Sequence, residues 1–269
     1  MRVRGVVIAK TYPEISRKYG PLVCTVILTE DYQWMRLYPI PFRLFLSDKG
    51  FHKWDVIEVD VEKATHDPRR ESYKVLNPEG IRVVEHIDDW RTRVNLVRKV
   101  LDNSIEEIIE SGRSIGVVRP VRILDFFAKP RERLRDEAER EVLQKMDEAQ
   151  ATLLEYIGKP ELRNELLSDV LSTDVKIEEI PWIGYRFYCS RECKGHEMMV
   201  IDWEVQELFR KYRTIEPVKK KVFIEFLNER DLYFVVGNTW RFHKSFMIIS
   251  IIYPPKNTQP TRGLDEFLK

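Results

Sequence analysis

The chain contains no run of about 18 apolar residues, so nothing in it reads as a membrane-spanning helix. It carries only three cysteines in 269 residues, two of them four positions apart. That scarcity argues against a disulfide framework and predicts a reducing, cytoplasmic setting. A Gly-rich phosphate loop, a Gly-x-Ser-x-Gly elbow and a dinucleotide fingerprint are all missing, so the common nucleotide and acyl-transfer chemistries have no motif here. Charge of one sign is missing too: 45 Lys+Arg against 44 Asp+Glu leave a net charge of +1. Any binding of a polyanion must therefore rest on local patches. Met1–Lys10 is too short and too soon interrupted for a secretory leader, and reads as a first strand.

What remains is a globular composition, 43% apolar and 33% charged, long enough for one large or two small domains. From Val3 to about Val84 the pattern is strand-like. Val3–Ala9 and Leu22–Leu28 are apolar runs, the second following the Gly20-Pro21 break, while Trp34–Tyr38 and Trp54–Val61 alternate. About five short strands without a long helix predict a small barrel. Asp88 opens a helix to about Asp102, and Ser104-Ile105-Glu106-Glu107 is a capping box for a second, closed by Gly112. Ser114–Phe127 returns to strand. A long charged helix is expected over 130–157, either a solvated outer helix or a partner-binding arm, then a shorter one over 161–170. Strand is expected over 175–188, helices over 203–212 and 218–229, and a closing pair of strands at 232–236 and 246–252. The expected fold class is α+β, with a barrel at 1–87, a helical linker at 88–113, a second barrel with inserted helices at 114–253 and a tail at 254–269.

Cys189, Cys193 and His196 stand close together in Tyr188-Cys189-Ser190-Arg191-Glu192-Cys193-Lys194-Gly195-His196. Thiolates and imidazole at such short gaps suit Zn²⁺, with Gly195 easing the turn. Three ligands leave one tetrahedral corner open, and His243 is the expected fourth. Unpaired structural cysteines and a redox pair remain open as alternatives. Cys24, in an apolar strand, reads as a buried small hydrophobe. Asp202 and Glu204 read in two ways: as helix N-terminal acids, or as ligands of Mg²⁺ in a phosphodiester-cleaving site.

The last nine residues follow a proline-punctuated polar spacer, Pro254-Pro255-Lys256-Asn257-Thr258-Gln259-Pro260. In one helical turn Leu264, Phe267 and Leu268 would share a face, as anchors of a helix-in-groove peptide do. With Thr261 at its head, the stretch resembles the PCNA-interacting (sliding-clamp-binding) box found at the C-termini of many archaeal replication and repair proteins. Thr261 replaces the usual glutamine, and Leu268 the second aromatic. The alternative is a tail folded back on its own domain. Scarce Asn and Gln beside abundant Lys, Arg and Glu agree with a thermophilic archaeal source.

Gly20-Pro21-Leu22-Val23-Cys24-Thr25, Gln33-Trp34-Met35-Arg36-Leu37-Tyr38-Pro39, Trp54-Asp55-Val56-Ile57-Glu58-Val59 and Asp67-Pro68-Arg69-Arg70-Glu71-Ser72-Tyr73 together resemble the dual OB-containing family, with two OB-like barrels in tandem. Ser114-Ile115-Gly116-Val117-Val118-Arg119-Pro120 and Phe234-Val235-Val236-Gly237 are a weaker echo in the second half. The resemblance implies single-strand binding by aromatics and cations on a barrel face. Trp34, Arg36, Tyr38, Phe42 and Arg43 would supply one cluster, and Arg69, Arg70 and Tyr73 another; the competing assignment for Trp34 and Phe42 is the core. The expected function is an accessory factor of DNA replication or repair that binds single-stranded or junction DNA and docks on the clamp. A clamp-recruited metal-dependent nuclease and a clamp-binding module without nucleic-acid binding are the alternatives.

Overall fold

The computed structural model describes residues 1–16, 20–46, 50–129, 181–239 and 242–259. The expected helices over 130–157 and 161–170 and the clamp-binding box at 261–268 lie outside the described residues.

The first half is a ring of strands. β1 (Arg2–Lys10), β3 (Gly20–Thr29), β4 (Trp34–Pro41), β6 (Ser72–Val75) and β5 (Asp55–Lys63) pair in that order, and β5 returns to β1. Only the β4–β6 pairing is parallel. In chain order the ring reads first, second, third, fifth, fourth, first, which is the OB-fold topology. β2 (Glu14–Ser16) flanks β3, and β7 (Arg82–His86) flanks β5. Alternation divides the apolar side chains cleanly. Val7, Ile27, Met35, Leu37, Ile57, Val59 and Val61 fill the barrel, while Val6, Ile8, Val26, Leu28, Trp34 and Val56 point out of it.

Helix α1 (Trp90–Lys99) starts where the Asp89 carboxylate accepts from Thr92 N, and α2 (Ile105–Glu110) where Ser104 Oγ accepts from Glu107 N. Between them β8 (Leu101–Asp102) runs beside β9.

The second half repeats the ring. β9 (Ile115–Val118) and β10 (Arg122–Lys129) flank Pro120, which cannot donate to a ladder. β10 pairs β11 (Trp182–Tyr188), β11 pairs β12 (His196–Met199), and a parallel bridge from Val200 to Ile248 leads to β14 (Phe246–Ile252). β14 pairs β13 (Tyr233–Asn238), which pairs β9. With β9 and β10 taken as one bent first strand, the order again has its third and fifth strands parallel. Helices α3 (Trp203–Tyr212), α4 (Ile215–Lys219) and α5 (Phe226–Glu229), with a π-helical turn at Lys220–Glu225, sit between the third and fourth strands. Val205, Val218, Val222 and Phe226 face the second core with Phe126, Tyr185, Phe187 and Phe234.

The two barrels share a core. β9, β13 and β14 turn Ile115, Val117, Tyr233, Val235, Ile249 and Ile252 outward, onto the outward-facing side chains of β1, β3, β4 and β5. Two polar seams cross this contact. Arg36 and Arg69 form one. In the other, Lys53 donates to Glu204 Oε2 at 2.7 Å and to the Ile251 carbonyl at 3.1 Å.

Candidate functional site

The docking of the barrels decides where a ligand can go. In an OB barrel the second and third strands form the usual binding face. In the first barrel these are β3 and β4, whose outer side lies against the second barrel. Trp34 is buried in the shared core. Arg36, only 5% exposed, donates to Ser72 Oγ (3.2 Å), Ser114 Oγ (3.0 Å) and the Ser114 carbonyl (3.3 Å). Arg69 grips Asp67 through two nitrogens and donates to the Asn238 carbonyl across the seam. The expectation that Trp34, Arg36 and Arg69 face a nucleic acid is thereby corrected: alternation and docking turn them into the interface. Phe42 is also buried and stacks on Trp203 at 5.4 Å. Tyr38 is half-buried, and the Arg43 side chain lies outside the described set. Arg70 and Tyr73 keep solvent access, in a cleft of about 820 Å³ shared with Arg4, Glu30, Lys99 and Asp102.

The same face of the second barrel has no such cover among the described residues. Cross-strand pairing arranges the outer side of β10, β11 and β12 in rows. Lys129 lies beside Trp182, then Phe127 beside Gly184 and Met199, then Asp125, Arg186 and Glu197 abreast, then Arg122 beside Tyr188. Gly184 is required here, because a Cβ would run into the Phe127 ring and the Met198 carbonyl. Lys129 Nζ and Arg186 Cζ lie over the Phe127 ring at 4.8 and 5.8 Å. Glu197 holds both cations, accepting from Lys129 at 2.5 Å and from Arg186 at 2.7 Å, and these donors keep its carboxyl below the usual range. Arg122, Lys129 and Arg186 are exposed; Phe127, Trp182 and Tyr188 are partly so. Flat aromatic surface bordered by cations is what stacked bases and phosphates require.

At one end of this sheet the turn from β11 to β12 closes on α2. Cys189 Sγ lies 3.1 Å from His196 Nε2 and 3.4 Å from Glu106 Oε2, and His196 Nε2 lies 3.4 Å from Glu106 Oε1. With Cys193 Sγ, the four ligand atoms fall within 4.8 Å of one another. Bonds of about 2.0–2.3 Å in a tetrahedron imply ligand–ligand edges of roughly 3.3–3.8 Å; the contacts among Cys189, His196 and Glu106 lie near that range, and the donor set suits a metal ion. Gly195, at φ +98, makes the turn, and the Tyr188 ring packs against it. Burial pushes the Cys189 thiol up to about 12, and burial also lowers the His196 pKa against the pull of Glu106. His243, the expected fourth ligand, is exposed on the loop between β13 and β14 and is no part of the group. Glu106 takes that place. Eighty-three residues separate it from Cys189, and in sequence it looked like an ordinary helix-start acid.

Asp202 and Glu204 do not form a cation site. Asp202 caps α3 by accepting from Glu204 N and Val205 N, and its other oxygen accepts from Ile251 N. Both carboxylates lie on Lys53, at 3.6 and 2.7 Å. The helix-terminus assignment holds, and the Mg²⁺ alternative loses its ligands.

Among the described residues no helix is long and apolar enough to cross a membrane. Residues 1–99 match the family described as "Domain of unknown function (DUF8758)". No curated protein matches the chain. Among solved structures, a chain of a replication protein A heterotrimer bound to ssDNA aligns at 8% identity with a TM-score of 0.37, covering 95% of this chain and 49% of that one. This chain thus spans about half of that chain's length, and at so low a score the likeness adds nothing to the topology above. Residues 101–267, more than half of the sequence, match a further family model, and the chain therefore belongs to the family described as "Domain of unknown function (DUF8757)".

Proposed function

We propose that this protein binds single-stranded DNA across the outer face of β10, β11 and β12 in its second barrel, as a non-enzymatic accessory factor of replication or repair. The observation that carries the reading is the contrast between the barrels. The second- and third-strand face of the first is filled by its neighbour, while among the described residues the outer sheet of β10, β11 and β12 in the second has no such cover and carries Phe127, Trp182 and Tyr188 with Arg122, Lys129 and Arg186. Zn²⁺ held by Glu106, Cys189, Cys193 and His196 braces the hairpin beside Tyr188; Zn²⁺ is the ion that two thiolates, an imidazole and a carboxylate in a compact group favour. Arg70 and Tyr73, in the cleft of the first barrel, are a second, separate place where a strand could be contacted.

The spacing of Thr261, Leu264, Phe267 and Leu268 supports tethering to a sliding clamp (PCNA). A short tether raises local concentration to about the millimolar range, which suits a weak binder of nearly zero net charge. The test is fluorescence anisotropy of the full chain with a labelled 25-nucleotide strand, beside a pull-down with purified clamp with and without residues 261–269. Saturable binding weakened by Phe127→Ala, and clamp capture that depends on the last nine residues, are the expected results. No binding at micromolar protein in 50 mM salt would overturn the single-strand reading, and clamp capture by the truncated chain would overturn the tether.

A further inference from the structure

The helical hairpin between the third and fourth strands of the second barrel carries a charge imbalance that the single-strand reading does not use. Between Arg210 and Lys221 the chain places six cations, Arg210, Lys211, Arg213, Lys219, Lys220 and Lys221, against one carboxylate, Glu216. All seven are exposed. Over the whole helical run 203–229 the count is six cations against five carboxylates, so the excess of one sign is confined to these twelve residues at the bend of the hairpin, while the rest of the chain is slightly acidic.

The fold explains how they come together. α3 ends at Arg213, whose left-handed backbone (φ +61) turns the chain, and Thr214 begins α4. Val218 and Val222 point into the barrel core, so Lys219, Lys220 and Lys221 fan across the outer side of the helix between them. The π-helical turn at Lys220–Glu225 is pinned from below, where the Tyr185 hydroxyl donates to the Val222 carbonyl at 2.5 Å. Phe223 packs near Phe126 and Tyr185, at 6.1 and 6.4 Å between ring centres. The hairpin is thus packed on the inward side chains of β10 and β11, whose outer side carries Phe127. Arg210 and Lys221 are held by Glu207 and Glu225, both at 2.8 Å, while Lys211 and Lys219 lie against the Tyr212 and Phe223 rings. The helix dipole accounts for Arg210 and Lys211 at the end of α3, but Lys219–Lys221 sit within the second helical run.

We infer that this hairpin binds the phosphate backbone of duplex DNA, so that the protein engages a single-strand/duplex junction with the strand on the β10–β11–β12 face and the duplex on the lysines. The inference goes beyond the single-strand reading and fails separately from it. A cluster of exposed ammonium and guanidinium groups neutralises phosphates but makes no pattern of donors and acceptors matched to base edges. Its affinity should be independent of sequence and steep in salt.

The experiment uses the full chain, a 25-base-pair duplex, a 25-nucleotide strand and the duplex with a 15-nucleotide overhang, each titrated by anisotropy from 50 to 200 mM KCl. The variants are K219Q/K220Q/K221Q, its arginine counterpart K219R/K220R/K221R and Phe127→Ala, with thermal melts confirming that each is folded. Each phosphate contact contributes about 0.9 to the slope of log K against log salt, so the glutamine variant should lose about 2–3 of the duplex slope and about tenfold or more in affinity. The arginine variant should keep both. Single-strand affinity should be set by Phe127 and little changed by the lysines, with the overhang probe bound most tightly. Absence of duplex binding in the wild type, an unchanged duplex slope in the glutamine variant, or equal weakening of duplex and single strand would each overturn the inference. In the first two cases intact single-strand binding leaves the other reading standing.

Discussion

Replacing Arg36 by methionine keeps the length of the side chain and removes a guanidinium bonded to Ser72 Oγ at 3.2 Å, Ser114 Oγ at 3.0 Å and the Ser114 carbonyl at 3.3 Å. Burial lowers the Arg36 pKa to about 10, with Arg69 adding to the shift and Asp67 and Glu71 opposing it, so the charge is present at neutral pH. The change also strands its surroundings. Glu71 is buried, accepts from Ser114 N and Ser114 Oγ at 3.0 and 2.9 Å, and would keep the more distant pairing with Arg70 at 3.8 Å. Hydrogen bonds from a charged donor contribute about 1.5–3 kcal/mol each, and removing one member of a buried ionic group costs about 3–5 kcal/mol. We expect the full chain to lose about 3–5 kcal/mol; at about 2–4 °C per kcal/mol, Tm falls by roughly 6–20 °C. The assays are scanning calorimetry for stability and anisotropy for single-strand affinity, measured below the transition of the variant. Affinity should stay within about twofold, since the nitrogens lie between barrels. An unchanged Tm with weakened strand binding would refute the reasoning, because it would place Arg36 on a ligand surface.

Four amino acids of the metal group give a compact test: untagged protein should carry about one equivalent of zinc, lost in Cys189→Ser and reduced in Glu106→Gln, but kept in His243→Ala. Loss of zinc from the His243 variant would restore that residue as a ligand. On the strand face Glu197→Gln frees Lys129 and Arg186 from a shared carboxylate; single-strand affinity should rise and its salt slope steepen by about one to two units, and weaker binding would contradict the placement of the strand. A half-buried lysine and a buried one make opposite predictions with pH. Burial brings Lys10 down to about 8, so between pH 8 and an unfolded value of about 10.4 the unfolded chain holds a proton the folded one lacks, and this term makes stability rise with pH. Lys53 is also opposed by burial, but Asp202 and Glu204 outweigh it and raise its pKa, so its contribution is complete below about 10.4 and lost above as pH rises through the folded value. Lys10→Met should flatten the rise in the urea midpoint between pH 8 and 10, and an unaltered profile would refute the assignment.

Much of the scaffold was legible from local pattern. The helix at 203–212 falls where its capping aspartate and apolar spacing place it, and Ser104 caps α2 as its box predicts. The strands of the first barrel follow their apolar runs. What pattern did not convey was which barrel face is covered, although a signal was present. β3 reads Leu22-Val23-Cys24-Thr25-Val26-Ile27-Leu28, apolar on both sides, as a strand buried on both faces does. β11 reads Trp182-Ile183-Gly184-Tyr185-Arg186-Phe187-Tyr188, with Ile183, Tyr185 and Phe187 inward and a charge among the outward side chains. Reading Trp34 and Arg36 as binding residues took aromatic and cationic identity as the cue and passed over that difference. Glu106 escaped for another reason: a carboxylate in a capping segment has a complete local explanation, and only the fold brings it to two thiols and an imidazole.

The two halves share one topology, and the pattern of their outer faces tells them apart. Val6, Ile8, Val26, Leu28, Trp34 and Val56 form an apolar surface on the first barrel, which packs against Ile115, Val117, Tyr233, Val235, Ile249 and Ile252 of the second as well as Ile87, Leu96 and Val97. The first barrel then acts as the platform on which the second is held. Arg36, Arg69 and Lys53 fix the register of that docking, since a charged group can be buried only where its partners meet it. It follows that residues 1–99 expressed alone would expose the part of this surface that the second barrel covers, and should self-associate or precipitate. The full chain should unfold as one unit, with tryptophan fluorescence and far-UV dichroism giving coincident transitions. A soluble, monomeric and cooperatively folded 1–99 fragment would mean that the face of the first barrel is stable in water, and it would then be as eligible as the second to bind a strand.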